Sequence, residues 1–419
     1  MKIKKKEIVK LWMNSSFNQL WLGQTVSVLG SQISFIAIPL IAVILLDADS
    51  FQMGILTATI TAPFLLIGLF AGVWVDRVKR VPILLYSNLL GAVILLLIPL
   101  LNSLNILNIW LLYLIAFLSA SCSMMFQFAY TSVLPSIVSK EALTEGNSKL
   151  EATRATTQFI GPSIAGVLIQ TFTAPVAILI NAATELFSLV FLKRIKINEA
   201  TPEKSANNVL QQIVSGFSIL FKSNFLRTIS LTTAVLNFAR SAIDAVYILF
   251  IVSTLSVDAA LIGIIYGVGS VGSIIGAMLA NKLVKKIGIG ATIILAAISI
   301  GIGFIVIAVI AGPLYIVIPL LLVSRTLTSM GNTLFFITQV SVRQALVPNE
   351  VMGRVNATQV FISRGAVPIG ALLGGILGTW FGLRIAILLA GCFSLIAVFM
   401  LWMSPIRSIQ QTENLEIQQ

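Results

Sequence analysis

The sequence predicts an all-α polytopic membrane protein with twelve transmembrane helices in two pseudo-symmetric six-helix bundles. Composition, the spacing of the apolar runs and an internal repeat carry that prediction. Of 419 residues, 58% are hydrophobic and 10% charged, whereas a soluble domain carries about a quarter charged residues. Cys122 and Cys392, the two cysteines, both lie inside apolar runs, which gives neither a disulfide framework nor metal spacing. Histidine is absent, removing the usual near-neutral proton carrier and the commonest metal ligand.

A helix needs about 20 apolar residues to cross a bilayer. Runs of that order occupy 17–46, 51–75, 81–101, 108–131, 153–172 and 174–192, then 225–254, 259–280, 289–311, 314–338, 357–379 and 383–403. Short polar or turn-like separators divide them, such as Asp47 to Ser50, Asn102 to Asn108, and Ala311-Gly312-Pro313. The first run is too long for a signal-peptide core, and no small-residue cleavage site follows it. The longest polar interval, 193–224, is expected to be a cytoplasmic linker between residues 1–192 and 225–404, with 405–419 a cytoplasmic tail. Val209 to Leu220 within it has helical apolar spacing and is expected to lie along the membrane surface.

The cations set the expected orientation. Lysines 2, 4, 5, 6 and 10, Arg77, Lys79, Arg80, the linker cations, Lys282, Lys285, Lys286, Arg343 and Arg354 all fall on one side, whereas Arg384 is the one cation on the other. Both termini are therefore expected in the cytoplasm, in a bacterial cytoplasmic membrane. The +12 net charge is explained without any nucleic acid.

The halves repeat at an offset of 209 residues. Glu141 falls on Glu350, Asn147 on Asn356, Gly54 on Gly263, Gly161 on Gly370 and Gly166 on Gly375. At an offset of 205, Asp76-Arg77 becomes Asn281-Lys282, a difference of about one helical turn lost in the eighth span. Parallel halves of this kind are a transporter architecture with the substrate site between them near mid-membrane.

Between the second and third runs stands Gly72-x-x-x-Asp76-Arg77-x-Lys79-Arg80, with its decayed copy at Asn281 to Lys286. Over essentially its whole length the chain resembles the major facilitator superfamily, whose loop of this pattern usually has a glycine where Val78 stands. Val347-Pro348-x-Glu350-x-x-Gly353-Arg354-Val355, followed by Gly370, Gly374 and Gly375, resembles the bacterial exporter branch that includes macrolide-efflux and enterobactin-export proteins. Gly161, Pro162 and Gly166 are similar to the family's antiporter motif, departing from its fuller form at Thr157 and Ala165. The resemblance implies that Gly72, Asp76, Arg77 and Arg80 form a conformational latch. Anchoring of the loop by its cations is the competing reading, although an acid is not needed for that.

Ionisable residues inside a membrane cost about 2.5–3.5 kcal/mol each on insertion scales and are functional candidates by default. They are Glu185, Arg240, Asp244, Arg325 and Arg364. Arg240 and Asp244 are four residues apart and share a helix face, either as a self-neutralised pair or as a proton-linked switch. The resemblance places spans 1, 4, 7 and 10 around a central cavity, favouring Arg240, Asp244 and Arg325. It places span 6 at the periphery, where Glu185 would be lipid-adjacent or a proton carrier. Arg364 and Arg154, near the inner ends of their spans, are read as anchors that snorkel towards water. Gln24 and Gln32 in span 1 and Gln127 in span 4 complete the expected cavity set. The glycines of spans 8 and 11 are read as close-packing positions.

The resulting expectation is a secondary exporter of a small amphipathic molecule, drug-like, macrolide-like or siderophore-like, working by alternating access. It is driven by proton antiport without a cofactor, and a monomer is expected. An uptake permease for a polar solute and a receptor that has lost transport are the alternatives. No phosphate-binding G-x-x-x-x-G-K-[ST] sequence is present to support ATP drive, and neither a metal cluster nor a serine-nucleophile elbow supports an enzyme.

Overall fold

The computed structural model describes residues 14–68, 71, 74–75, 77–139, 142–195 and 209–410. The described residues form helices joined by short turns, without strands. The helices are α1 (Ser15–Leu40), α2 (Ser50–Leu66), α3 (Arg80–Ser103), α4 (Ile109–Ile137), α5 (Leu143–Phe172), α6 (Ala174–Leu192) and α7 (Val209–Lys222). They continue as α8 (Asn224–Leu249), α9 (Ala259–Gly269), α10 (Val271–Val309), α11 (Leu314–Leu346), α12 (Asn349–Phe381) and α13 (Leu383–Met403).

Among the described residues, nine helical segments are long and apolar enough to cross a membrane. One of them, Ala259–Val309, runs for 51 residues, about 77 Å of helix, or twice a bilayer. It breaks at Gly288, where φ is +86°, so it supplies the eighth and ninth spans. The second span is the shorter apolar helix α2. The fifth is α5, which begins ten residues before the expected 153 and carries Glu145, Lys149, Glu151 and Arg154 in its first three turns. Its ion pairs, Lys149 with Glu145 and Arg154 with Glu151, are both partly exposed.

The repeat at 209 residues is visible in the backbone. Asn14 and Ser223 cap α1 and α8, accepting the N–H of Phe17 and Leu226 respectively. Both helices end in a π-helical turn, Ile41–Leu45 and Phe250–Thr254. Asp47 and Ser256 follow with φ of 47° and 52°, and then Asp49 and Asp258 accept the N–H of Gln52 and Leu261. Thr173 and Gly382 separate the last two helices of each half at φ 77° and 83°. In the second copy of the charged loop, the turn lost before Asn281 is regained after it. Lys282, Lys285 and Lys286 lie on continuous helix up to Gly288, all exposed.

By backbone proximity the chain divides into two compact units, 1–41 with 66–205, and 42–65 with 206–419. In the first, Phe17, Leu20, Leu84, Val133, Leu134 and Leu192 form one buried cluster, and the Trp21 indole N–H donates to Thr153 at 2.9 Å. In the second, α2 lies against α12 through small residues. A Cβ on Gly54 would stand 2.8 Å from Gly375 Cα, and Ala58 packs with Ala245 and Ala371. Helices this close need residues without side-chain bulk.

Two segments make contacts that the sequence did not specify. Helix α7 does not simply lie on the membrane surface: it docks on α12, with Leu220 fully buried and the Phe217 ring edge-on to Phe361 at 6.2 Å. Beyond α13, residues 405–410 pack against the start of the ninth span. Ile289 and Gly290 donate their N–H groups to the Gln410 and Ile409 carbonyls at 3.3 and 3.0 Å, groups that a helix N-terminus leaves without intrahelical partners.

Candidate functional site

Three spans of the second unit converge on one charged cluster. Helix α8 presents Arg240, Asp244 and Tyr247 at i, i+4 and i+7, one face of a helix. Arg240 Nε donates to Asp244 Oδ2 at 3.3 Å, and the other carboxylate oxygen lies 3.9 Å from Arg325 Nη1 of α11. Asp244 therefore stands between two guanidinium groups. The Arg240 side chain is 54% exposed and that of Arg325 only 13%, so the cluster has an open flank and a closed one.

The closed flank is built from aromatic rings. The Arg325 guanidinium carbon lies 4.0 Å from the centre of the Tyr247 ring and 4.3 Å from that of Tyr266 on α9. The two rings meet edge-to-face, 5.9 Å apart at 89°. Cation–π contact is worth about 0.5–2 kcal/mol, more where water is excluded, which offsets part of the cost of placing a cation at this depth. Arg325 Nε and Nη2 are buried without a hydrogen-bond partner among the described residues. Gly269 sets the approach, because a Cβ there would stand 2.6 Å from Arg325 Cβ. On α10, the neighbouring Gly272 and Gly276 bring that helix against the Thr326 and Met330 carbonyls of α11.

Arg240, Asp244 and Arg325 thus come together as one group. The tyrosines were not in the expected set, although Tyr247 shares the Arg240–Asp244 face and only six tyrosines occur in the chain. Arg364 is exposed and stacks on the Phe64 ring at 4.4 Å.

In the first unit the expected residues are dispersed. Gln32 packs on Gly161, where a Cβ would come within 2.4 Å of Gln32 Cγ, and Pro162 and Gly166 are buried in α5. Gln24 has a buried side-chain oxygen without a partner, and Gln127 is exposed. Glu185 is 9% exposed and turned inward, not lipid-adjacent. A Cβ on Gly91 of α3 would stand 2.5 Å from Glu185 Oε2, and that oxygen has no hydrogen-bond partner among the described residues. The glycine leaves the room into which the carboxyl turns. Above it, Asn88 donates to Ser188 at 2.9 Å across the same pair of helices. Of the charged loop, Gly72 and Asp76 lie outside the described residues. Arg77 is exposed in a turn closed by its N–H on the Trp74 carbonyl at 3.0 Å, and Arg80 opens α3.

The family model described as "Transmembrane secretion effector" matches residues 11–418. The chain is 25% identical over 369 residues to the enterobactin exporter EntS of Escherichia coli O1:K1 / APEC, covering 86% of this chain and 85% of that protein. It is 24% identical over 386 residues to the multidrug efflux pump Tap of Mycolicibacterium fortuitum, covering 88% and 92%. A mutant of the nucleoside transporter NupG has the same fold, with a TM-score of 0.78 at 11% identity, over 92% of this chain and 99% of that one. A multi-pass membrane transport protein, and not an enzyme, is what these likenesses and the helical architecture describe. The chain belongs to the transmembrane secretion effector family of the major facilitator superfamily.

Proposed function

We propose that the protein exports a small amphipathic molecule by alternating access, coupled to proton entry through Asp244. The observation that supports this reading is the single carboxylate placed between Arg240 and Arg325. Protonating Asp244 removes the charge that both guanidinium groups share, so Arg240, on the open flank, is freed for substrate. The cluster carries two cations against one acid, which favours a neutral or anionic substrate over a lipophilic cation. Relatives named for enterobactin export and multidrug efflux support the direction and the substrate size.

The remaining parts follow the same reading. Both termini face the cytoplasm, because the cations gather on that side. Asp76 with Arg77 and Arg80 latches one state of the cycle, Gly161, Pro162 and Gly166 tighten α5 against its neighbours, and Glu185 is a second acid able to carry a proton. The protein works as a monomer without a cofactor, on the proton gradient. The test is transport in inside-out and right-side-out vesicles with an imposed proton gradient, across a panel of siderophores, macrolides and neutral amphiphiles. Uptake into inside-out vesicles, dissipating the gradient, is expected. Accumulation in right-side-out vesicles driven by an inward proton gradient would overturn export in favour of a permease.

A further inference from the structure

The first unit carries a second recess that the transport reading does not use. It is a trough of about 480 Å³ between α3 and α4, lined by Trp74, Lys79, Ile83, Tyr86, Leu90 and Met125 among others. Trp74, Tyr86 and Leu90 are 53%, 65% and 52% exposed, so it opens on the outside of the unit, the side that meets lipid in a membrane. From Lys79 to Leu90 it follows eleven residues of α3, about 16 Å along the axis, the order of half a hydrocarbon core. Ser87, Ser121 and Cys122 at its floor are small residues, which gives it depth.

Its charge is all at one end. Lys79 is the one ionised side chain among the described lining residues. It is exposed beside the exposed Arg77, and in sequence Arg77, Lys79 and Arg80 face the single acid Asp76. Trp74 stands at the same end, and tryptophan favours the headgroup level of a bilayer. An apolar trough that ends in a cation at headgroup level is complementary to one kind of molecule, an acyl chain with an anionic head. We propose that this trough is a binding site for an anionic phospholipid, with the phosphate at Lys79 and one chain lying along α3 towards Leu90. A zwitterionic lipid can lay the same chain in the trough, but its head is the poorer match for Lys79, whose attraction to anionic lipid falls away with salt.

The full chain is reconstituted in phosphatidylcholine vesicles containing a small fraction of either dibrominated phosphatidylglycerol or dibrominated phosphatidylcholine. The Trp74 signal is taken as the fluorescence difference between the natural chain and Trp74→Phe, and its quenching by bromine is read. Phosphatidylglycerol should quench at about fivefold lower mole fraction, the preference expected of one cation at a membrane surface. Lys79→Gln should abolish the difference and Lys79→Arg should keep it. Equal quenching by the two lipids in the natural chain would overturn the proposal, leaving ordinary boundary lipid. Quenching by neither would also overturn it, as would a preference that survives Lys79→Gln.

Discussion

The Arg325 guanidinium is held face-on by the Tyr247 ring at 4.0 Å, while Asp244, three residues before Tyr247 on the same helix, approaches it at 3.9 Å. One helix therefore offers Arg325 both a charge and a π face. Tyr247→Phe keeps the ring and with it the π face over Arg325, so transport should persist. Tyr247→Leu removes the face, and substrate affinity should fall roughly two- to thirtyfold, the equivalent of about 0.5–2 kcal/mol. Substrate concentration curves in proteoliposomes check both.

Gly269 is the position on which the arginine's placement depends. Gly269→Ala puts a methyl group 2.6 Å from Arg325 Cβ, and overpacking of this kind costs about 1–3 kcal/mol. The variant should melt at a lower temperature in detergent and transport as poorly as Arg325→Ala. Gly353→Ala, where a Cβ meets nothing within 4 Å among the described residues, is the control and should match the natural chain.

Asp244→Asn keeps the size of the side chain and removes its ability to carry a proton. If Asp244 is the coupling acid, the natural protein's transport rate follows the imposed pH, and the variant's rate is low and flat. Glu185→Gln should leave that pH profile in place. Rates measured in vesicles at matched protein levels distinguish these outcomes, and an unchanged profile in Asp244→Asn would sink the switch.

Asp76→Asn tests the latch separately from the coupling. The second copy of the loop has Asn281 at the related place, with its helix running on through Lys285 and Lys286. A latch built on the acid is therefore confined to the first copy. The variant should insert normally and lose turnover, whereas full transport would count against the latch.

Thr173 sits at φ 77° and ψ 157°, a region used almost solely by glycine and costing other residues about 1–3 kcal/mol. Its repeat partner is Gly382, at φ 83° and ψ 159°. Thr173→Gly should raise the melting temperature in detergent without altering transport. Gly382→Thr should lower it.

Span number and the repeat were legible in the sequence because local chemistry writes them, and the caps, though not read there, are of the same local kind. Apolar run length is set by bilayer thickness, and Asn14, Asp49, Ser223 and Asp258 are residues that cap helices by themselves. Arg240 and Asp244 were legible as a pair because helical periodicity alone aligns them. The tyrosine clamp was not, since Tyr266 meets Arg325 only through the packing of α9 on α11. For Glu185 the sequence left a lipid-adjacent acid and a proton carrier open; its inward place, with room given by Gly91 on another helix, depends on rotation of α6 about its axis. The same holds for α7, whose apolar face suits a membrane surface or a protein groove equally well in sequence. Gly54 and Gly375, matched by contact and not by offset, show why α2 groups with the second unit.

The π-helical turns at Ile41–Leu45 and Phe250–Thr254 bear on the chain's ancestry. A π turn in an α-helix holds one surplus residue, and placing one shifts every later side chain around the axis. The two turns occupy the same register of their halves, and everything from the cap after them to the opening of the following helix stays aligned. A single event before the chain doubled explains this more simply than two separate insertions. On that account the surplus residue was already in a half-length ancestor, and both descendants have kept it although every side chain within the turn except Val43 and its match Val252 has changed.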